Sequence, residues 1–246
     1  MNVHTDSLGT VLSKVRLGLE ATASGFVVTY ENERHPLGSM PLVGVSDEAA
    51  RGDVMAVAAG IEAAIKYPGR TADEDFATGA TTLLPKIEHR RFVEAYAAVL
   101  TGRGAPESEQ LLYRDFGADL VVVYVRDEGW KFSHITRGQF ERWDVSPGTV
   151  DAGARSHLYH RAELDWNDPL VALGDGYDAA RAVIVGDVFY HLGQDGAVAV
   201  GIPDRDHLVV GPAADASAIG ELHAAARYPI CPYPLVFRGD RVERRA

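Results

Sequence analysis

An α+β fold, with two lobes of mostly antiparallel strands packed against helices, is predicted by three features of this 246-residue sequence. Strand-like runs follow one another in pairs across short turns, amphipathic helical stretches fall between the pairs, and regular strand-helix-strand alternation of the parallel kind is missing. A hydrophobic fraction of 46% and a charged fraction of 24% are globular values, enough for a substantial core.

Residues 7–20 place Leu8, Val11, Leu12, Val15 and Leu19 at helical spacing behind Ser7, which predicts an amphipathic helix. "GFVVTYENERHPLG" and "MPLVGVS" read as two strands, the first ending in a polar turn. Ser46 or Asp47 then caps a helix whose Val54, Val57, Ala58, Ile61 and Ile65 share one face and which Pro68 ends. "PGRTADEDFATGATT" has Pro, Gly, Thr and acids without periodicity and reads as a connecting loop. The expected organisation is therefore a lobe over residues 1–68, a linker over 69–82 and a larger α+β domain over 83–246.

In that larger domain "TLLPKIEHRRFVEAYAAVL" suits either a strand or a helix. The strongest strand signal is "LLYRDFGADLVVVYVRDEGWKFSHI", with "RDEG" as a hairpin turn leading into Trp130–Ile135. Ser146 before Pro147 opens a helix running to about His160. Strand "PLVALGD", helix "YDAARAVIVGDVFYHL", strands "GAVAVGIP" and "HLVVGP", helix "ASAIGELHAAARY" and strand "YPLVFRGD" complete the order. The last ten residues, "FRGDRVERRA", interleave Arg238, Arg241, Arg244 and Arg245 with Asp240 and Glu243 and read as a solvated tail.

A formal net charge of −11 opposes binding to phosphate backbones, so no nucleic-acid partner is expected. The single cysteine, Cys231, excludes an internal disulfide framework and any multi-cysteine zinc site, and its setting between Ile230 and Pro232 reads as core. The polar first ten residues do not make a secretory signal, and no run of about 18 apolar residues suggests a membrane span. A cytoplasmic protein is the expectation.

Chemistry is concentrated in "LGDGYDAARAV", residues 173–183. Asp175 suits an N-cap, Asp178 falls in the first turn beside the positive end of the dipole, Arg181 follows three residues on, and Gly174 and Gly176 permit the turn. Tyr177 has no role in such a helix start. A ligand site at the free N–H groups is the competing reading, opposed by the two acids at its mouth. Gly-Lys-Ser/Thr does not follow, and the twelfth position counted from Asp175 is Gly186 rather than a bidentate Glu, so neither a phosphate loop nor a calcium loop fits.

Asp204 and Asp206 lie in a probable hairpin turn, "IPDRDHLVV". Brought near Asp175 and Asp178 they would offer four carboxylates to a divalent cation. His157 and His160, with Glu163, Asp165 and Asp168 beyond, are a weaker metal-ligand pattern on one helical edge. No nucleophile elbow, no Schiff-base lysine motif and no cofactor motif stands out, and no cofactor is expected.

"LGDGYDAARAV", with "GAVAVGIPDRDHLVV" after one further helix and "TLLPKI" and "LLYRDFGADLVVVYV" before it in that order, resembles the YtpQ-like family of bacterial proteins, built around a domain of unknown function. The resemblance covers roughly residues 80–246, while the first 70 match only in element order; the acidic, alanine-rich character departs from Lys-rich relatives. It implies a fold and a bacterial intracellular setting, and carries no activity. The positions it singles out are Asp175, Tyr177, Asp178 and Arg181, then Asp204 and Asp206.

The leading expectation is a non-enzymatic protein-binding or regulatory module, taking a partner on its surface or by strand addition at an exposed edge such as "LVVVYVRD". Two alternatives stand beside it. One is a divalent-metal-dependent hydrolase using Asp175, Asp178, Asp204 and Asp206 with Arg181 on a substrate oxygen, and the other is a small-molecule sensor with a pocket between the lobes.

Overall fold

A computed structural model describes residues 16–22, 25–32, 35–43, 50–66, 75–129, 132–161, 170–185, 198–211, 214–226, 228–238 and 241–245. The fold is α+β, and every strand pair among these residues is antiparallel.

The chain opens as a three-stranded meander, β1 (Arg16–Thr22), β2 (Gly25–Asn32) and β3 (His35–Val43). The helix expected over 7–20 is thus wrong from residue 16 onward, and residues 7–15 lie outside the described residues. "RLGLE" alternates as well as it spirals, and pairing Leu17 with Tyr30 and Leu19 with Val28 decides for the strand. Pro36 and Pro41 are tolerated because β3 is the edge of the order β1-β2-β3.

Helix α1 (Ala50–Lys66) buries Val57, Ile61 and Ala64. The expected linker is ordered from residue 75: Asp75 Oδ1 accepts from the Thr78 N–H at 2.9 Å and starts α2 (Phe76–Gly79), followed by a 3-10 turn at Ala80–Thr82. Phe76 packs edge-on against Trp143, with centroids 5.3 Å apart. A one-turn helix carries no periodicity to read, so its composition passes for a loop.

The ambiguous stretch is a strand followed by a helix, β4 (Leu83–His89) and α3 (Arg90–Gly102), with the His89 ring accepting from the Arg91 N–H as cap. After a 3-10 turn at Glu107–Glu109 come β5 (Tyr113–Gly117), β6 (Leu120–Asp127) and β7 (Phe132–His134). β6 has β4 along one side and β5 then β7 along the other. The expectation that "LVVVYVRD" is an exposed edge open to strand addition is therefore wrong: a strand buried on both faces reads as a continuous apolar run, and this one has no free edge.

The two faces of β6 serve two cores. Val121 and Val123 pack under α1 and α3, while Leu120, Val122 and Tyr124 face the second core. Gly60 of α1 lies so close to α3 that a Cβ there would strike the Phe92 carbonyl oxygen. The helix of the expected first lobe thus shares its core with elements beyond the expected linker.

Helix α4 (Arg137–Trp143) and α5 (Pro147–Arg161) follow, the latter opening with Ser146 Oγ accepting from the Thr149 N–H. A third sheet has the order β12-β11-β9-β10-β8, from β8 (Leu170–Val171), β9 (Ala199–Asp204), β10 (His207–Val210), β11 (Leu235–Arg238) and β12 (Arg241–Arg244). Between β8 and β9 lie a 3-10 turn at Ala179–Arg181 and helical residues 182–185, and α6 (Ala216–Ala225) packs on β9.

The expected solvated tail is strand β12. Val242 sits opposite Phe237 and is 1% exposed, a burial worth about 1.5–3 kcal/mol. Gly117, with φ +96°, lets β5 approach so closely that any Cβ would run into the Val242 carbonyl oxygen. One apolar residue among alternating charges is enough to dock "RVER", because its neighbours point outward. Among the described residues no helix is long and apolar enough to cross a membrane.

Candidate functional site

The 173–183 stretch folds around one buried cation. Arg181 has no solvent exposure and grips Asp175 twice, Nη1 to Oδ1 at 3.0 Å and Nη2 to Oδ2 at 2.9 Å, while Nη1 also donates to Asp178 Oδ1 at 3.0 Å. Asp175 Oδ1 accepts from the Tyr177 N–H at 2.9 Å, and Asp178 Oδ2 from the Gly174 N–H at 2.8 Å. Asp175 does not cap a helix as expected, and Asp178, expected within the first turn, stands at the N-cap position of the 3-10 turn without a side-chain cap hydrogen bond. Their oxygens bind the turn itself and the guanidinium, since a charge as buried as Arg181 must be met by carboxylates.

Tyr177, without a role in the sequence, is 5% exposed. Its hydroxyl is hydrogen-bonded to Asp127, and Arg161 lies over its ring at 4.6 Å while pairing with Asp127 at 3.0 Å and Asp175 at 3.3 Å. Burial pushes the phenol well above its ordinary value, and the Asp127 charge adds to this. Burial also raises the Asp175 carboxyl, but hydrogen bonds from Arg181 and the Tyr177 N–H and the charges of Arg181 and Arg161 outweigh it and hold the group below the usual carboxylate range. At Asp178 burial prevails over its backbone hydrogen bonds and lifts the carboxyl.

The two acidic turns do meet: the Ala179 N–H donates to the Arg205 carbonyl oxygen at 3.2 Å. Their side chains go elsewhere. Asp204 accepts from the Asp206 N–H at 2.7 Å and engages His207 Nδ1 at 2.9 Å, and Asp206 pairs with Arg205 at 3.0 Å. No group of three metal-ligating side chains forms among the described residues. His157 is occupied by the Leu83 carbonyl oxygen at 3.1 Å, and Glu163, Asp165 and Asp168 lie outside the described residues. Cys231 is buried, as expected, and burial pushes its thiol up to about 12.

The better candidate lies next door, on the α1 and α3 face of the four-stranded sheet. β4 places Lys86 and Glu88 opposite Val123 and Val121, and β7 places Phe132 and His134 opposite Asp127 and Val125. Period-two alternation sends all four to one face, on the two sides of β6. With α1 above them and Arg205, Tyr228 and Ile230 beside them they enclose a cavity of about 260 Å³.

The polar groups of this cavity are not at rest. Lys86 is 7% exposed; its Nζ lies 4.4 Å from the Phe132 ring centroid and 3.9 Å from Glu88 Oε1, beyond hydrogen-bond reach. Burial lowers the Lys86 ammonium, against the pull of Glu88, and raises the Glu88 carboxyl against the charges of Lys86 and Arg205. His134 packs among the Phe92, Tyr96 and Phe132 rings, and burial, with the Lys86 charge, drives it down to about 3, so it is a neutral imidazole. Its Nδ1 is buried and has no hydrogen-bond partner among the described residues. Arg205 stacks on Tyr228 at 4.1 Å.

Sequence reasoning missed Lys86, Glu88 and His134 and took Arg205 only as a turn residue. One signal was present: "LLPKIEH" sets two opposite charges at period two inside an otherwise apolar strand. Compared with known protein families, curated proteins and solved structures, the chain matches none.

Proposed function

We propose that this protein binds a small organic metabolite in the cavity over β4 and β7. The observation that carries this is a cavity that gathers the Lys86, Glu88, Arg205 and His134 side chains against the Phe92 and Phe132 rings, with Lys86 Nζ 3.9 Å from Glu88 Oε1, beyond hydrogen-bond reach. Buried polar groups are normally satisfied, and an apolar cavity with a few convergent polar groups is the usual form of a ligand site. At about 260 Å³ it lies just below the range of about 300–1,000 Å³ typical of drug-sized pockets, which suits a metabolite. Phe92 and Phe132 supply apolar walls, and Lys86, Arg205 and Glu88 supply ionisable groups.

Of the functions open from sequence, this is the small-molecule one. The carboxylates of the hydrolase alternative are engaged with Arg181, His207, Arg205 and backbone N–H groups, and the strand of the partner-binding alternative is paired on both sides.

The test is thermal stabilisation across a panel of small acids, aldehydes and ketones, with Lys86→Met and Phe132→Ala beside the parent protein. A ligand that raises the midpoint of the parent and fails to raise that of both variants supports the site. A panel without any stabilising compound, or stabilisation undiminished in both variants, overturns it.

A further inference from the structure

We infer that Lys86 is a covalent handle: its Nζ forms an imine with the carbonyl carbon of a small 2-oxo acid held in the cavity. This rests on the cavity being a ligand site and names the class of ligand.

An amine nucleophile must be free of its proton, must not be tied up in hydrogen bonds, and needs an acid beside it to expel water. Lys86 meets these conditions by its position. It is enclosed by Phe132 and the sheet, its Glu88 neighbour stands 3.9 Å away, and among its charged surroundings Arg205 repels a proton while Glu88, Asp206 and Asp127 attract one. Burial outweighs those attractions and lowers the ammonium below its ordinary value. The contact with the Phe132 ring favours the ammonium, but by only about 0.5–1 kcal/mol for a cation–π pair of ordinary strength.

Composition sharpens the point. The chain has twenty arginines and four lysines, Lys14, Lys66, Lys86 and Lys131. A buried cation serving structure alone is elsewhere an arginine, as Arg181 is; an arginine cannot lose its proton to become a nucleophile, whereas a lysine can.

The step balances within the cavity. The Nζ lone pair attacks the carbonyl carbon, forming C–N and moving the C=O π pair onto oxygen. An N–H proton passes to that oxygen, giving a neutral carbinolamine. The Glu88 carboxyl, lifted by burial, then protonates the hydroxyl, the C–O bond breaks, water leaves, and the nitrogen lone pair closes C=N. Amine, carbonyl compound and carboxylic acid become iminium, water and carboxylate. The Glu88 carboxylate is left paired with the iminium, and Arg205, held by Asp206 through Nε and Nη2, borders the same cavity and offers its Nη1 to the acid group of the ligand.

The experiment treats the whole protein at neutral pH with pyruvate or glyoxylate and sodium cyanoborohydride, which reduces an iminium to a stable amine, and locates the product by intact mass and peptide mapping. The other lysines are internal controls. We expect one added group, at Lys86, formed at least about tenfold faster than at any other lysine, because an amine that gives up its proton more readily is the better nucleophile. It should be lost in Lys86→Arg and slowed in Glu88→Gln. Should Lys86→Arg fail to fold, the lysine-by-lysine ratio in the parent protein decides. Labelling spread evenly over the lysines, or absent at Lys86, overturns the imine. Ligand binding itself is read separately, by stabilisation without reductant, so failure of the imine and failure of the pocket give different results.

Discussion

Arg181 and Asp175 form a two-pronged ion pair, Nη1 to Oδ1 at 3.0 Å and Nη2 to Oδ2 at 2.9 Å, in which the arginine has no contact with solvent. Asp178 accepts a third hydrogen bond from the same guanidinium, so one cation closes the turn from both ends. Arg181→Met, which keeps volume and removes charge, leaves two carboxylates facing each other and should lower stability by about 3–5 kcal/mol in denaturant titration. Arg181→Lys should recover only part of this, because an ammonium cannot reproduce the fork. A loss below about 1 kcal/mol, the size of an exposed pair, would mean that the turn does not depend on Arg181.

Two side chains set the acid limb of the stability profile in different windows. His134 is driven from 6.5 to about 3, so the unfolded chain binds the proton first. Its contribution is whole above pH 6.5, erodes as the pH falls from there toward about 3, and stays flat below. Asp175, held below 3.8, contributes fully above that value and loses its contribution as the pH falls through its lower folded value. His134→Phe should therefore flatten the profile between pH 6.5 and 4, whereas Asp175→Asn should lower stability by a constant amount above about pH 4 and change the slope only below it. Urea midpoints measured across this range give both curves.

Gly117→Ala should detach β12. The substitution adds a Cβ at a φ of +96° and drives it into the Val242 carbonyl oxygen. A cost of about 1–3 kcal/mol is expected from the backbone alone. Trypsin cleavage at Arg241 and Arg244 reads the local effect, since β12 protects them only while paired. Unchanged cleavage would mean that β5 does not hold the strand.

Cys231 should be inert in the native protein. It is 1% exposed, its Sγ–H donates to the Tyr233 carbonyl oxygen at 3.4 Å, and burial pushes the thiol up to about 12. Ellman's reagent at pH 8 should find one thiol after unfolding and none before it, because only the thiolate reacts. Rapid native labelling would place the residue in an opening of the fold.

Much of the secondary structure was legible in advance. Asp75 is the telling exception, a good capping residue hidden in what composition presents as a linker. "RLGLE" failed for the opposite reason, fitting both periods until β2 paired with it. At the site, Arg181 was visible as a partner of Asp178, three residues before it, while its double hydrogen bond to Asp175 was hidden behind the expected N-cap. The place of Tyr177 was hidden too, since Asp127 and Arg161 come from other elements.

By itself the sequence determined the alternation of strands and helices and the turn at 175–181, both of which depend on residues close together in the chain. Only the tertiary structure decided that β6 is interior, that the arginine-rich end is a strand, and that Lys86, Glu88, His134 and Arg205 share one cavity. The physical reason is the same in each case. Burial and electrostatic environment belong to neighbours in space, and antiparallel pairing brings together β4, β7 and the β9–β10 turn, whose separation along the chain hides any common purpose.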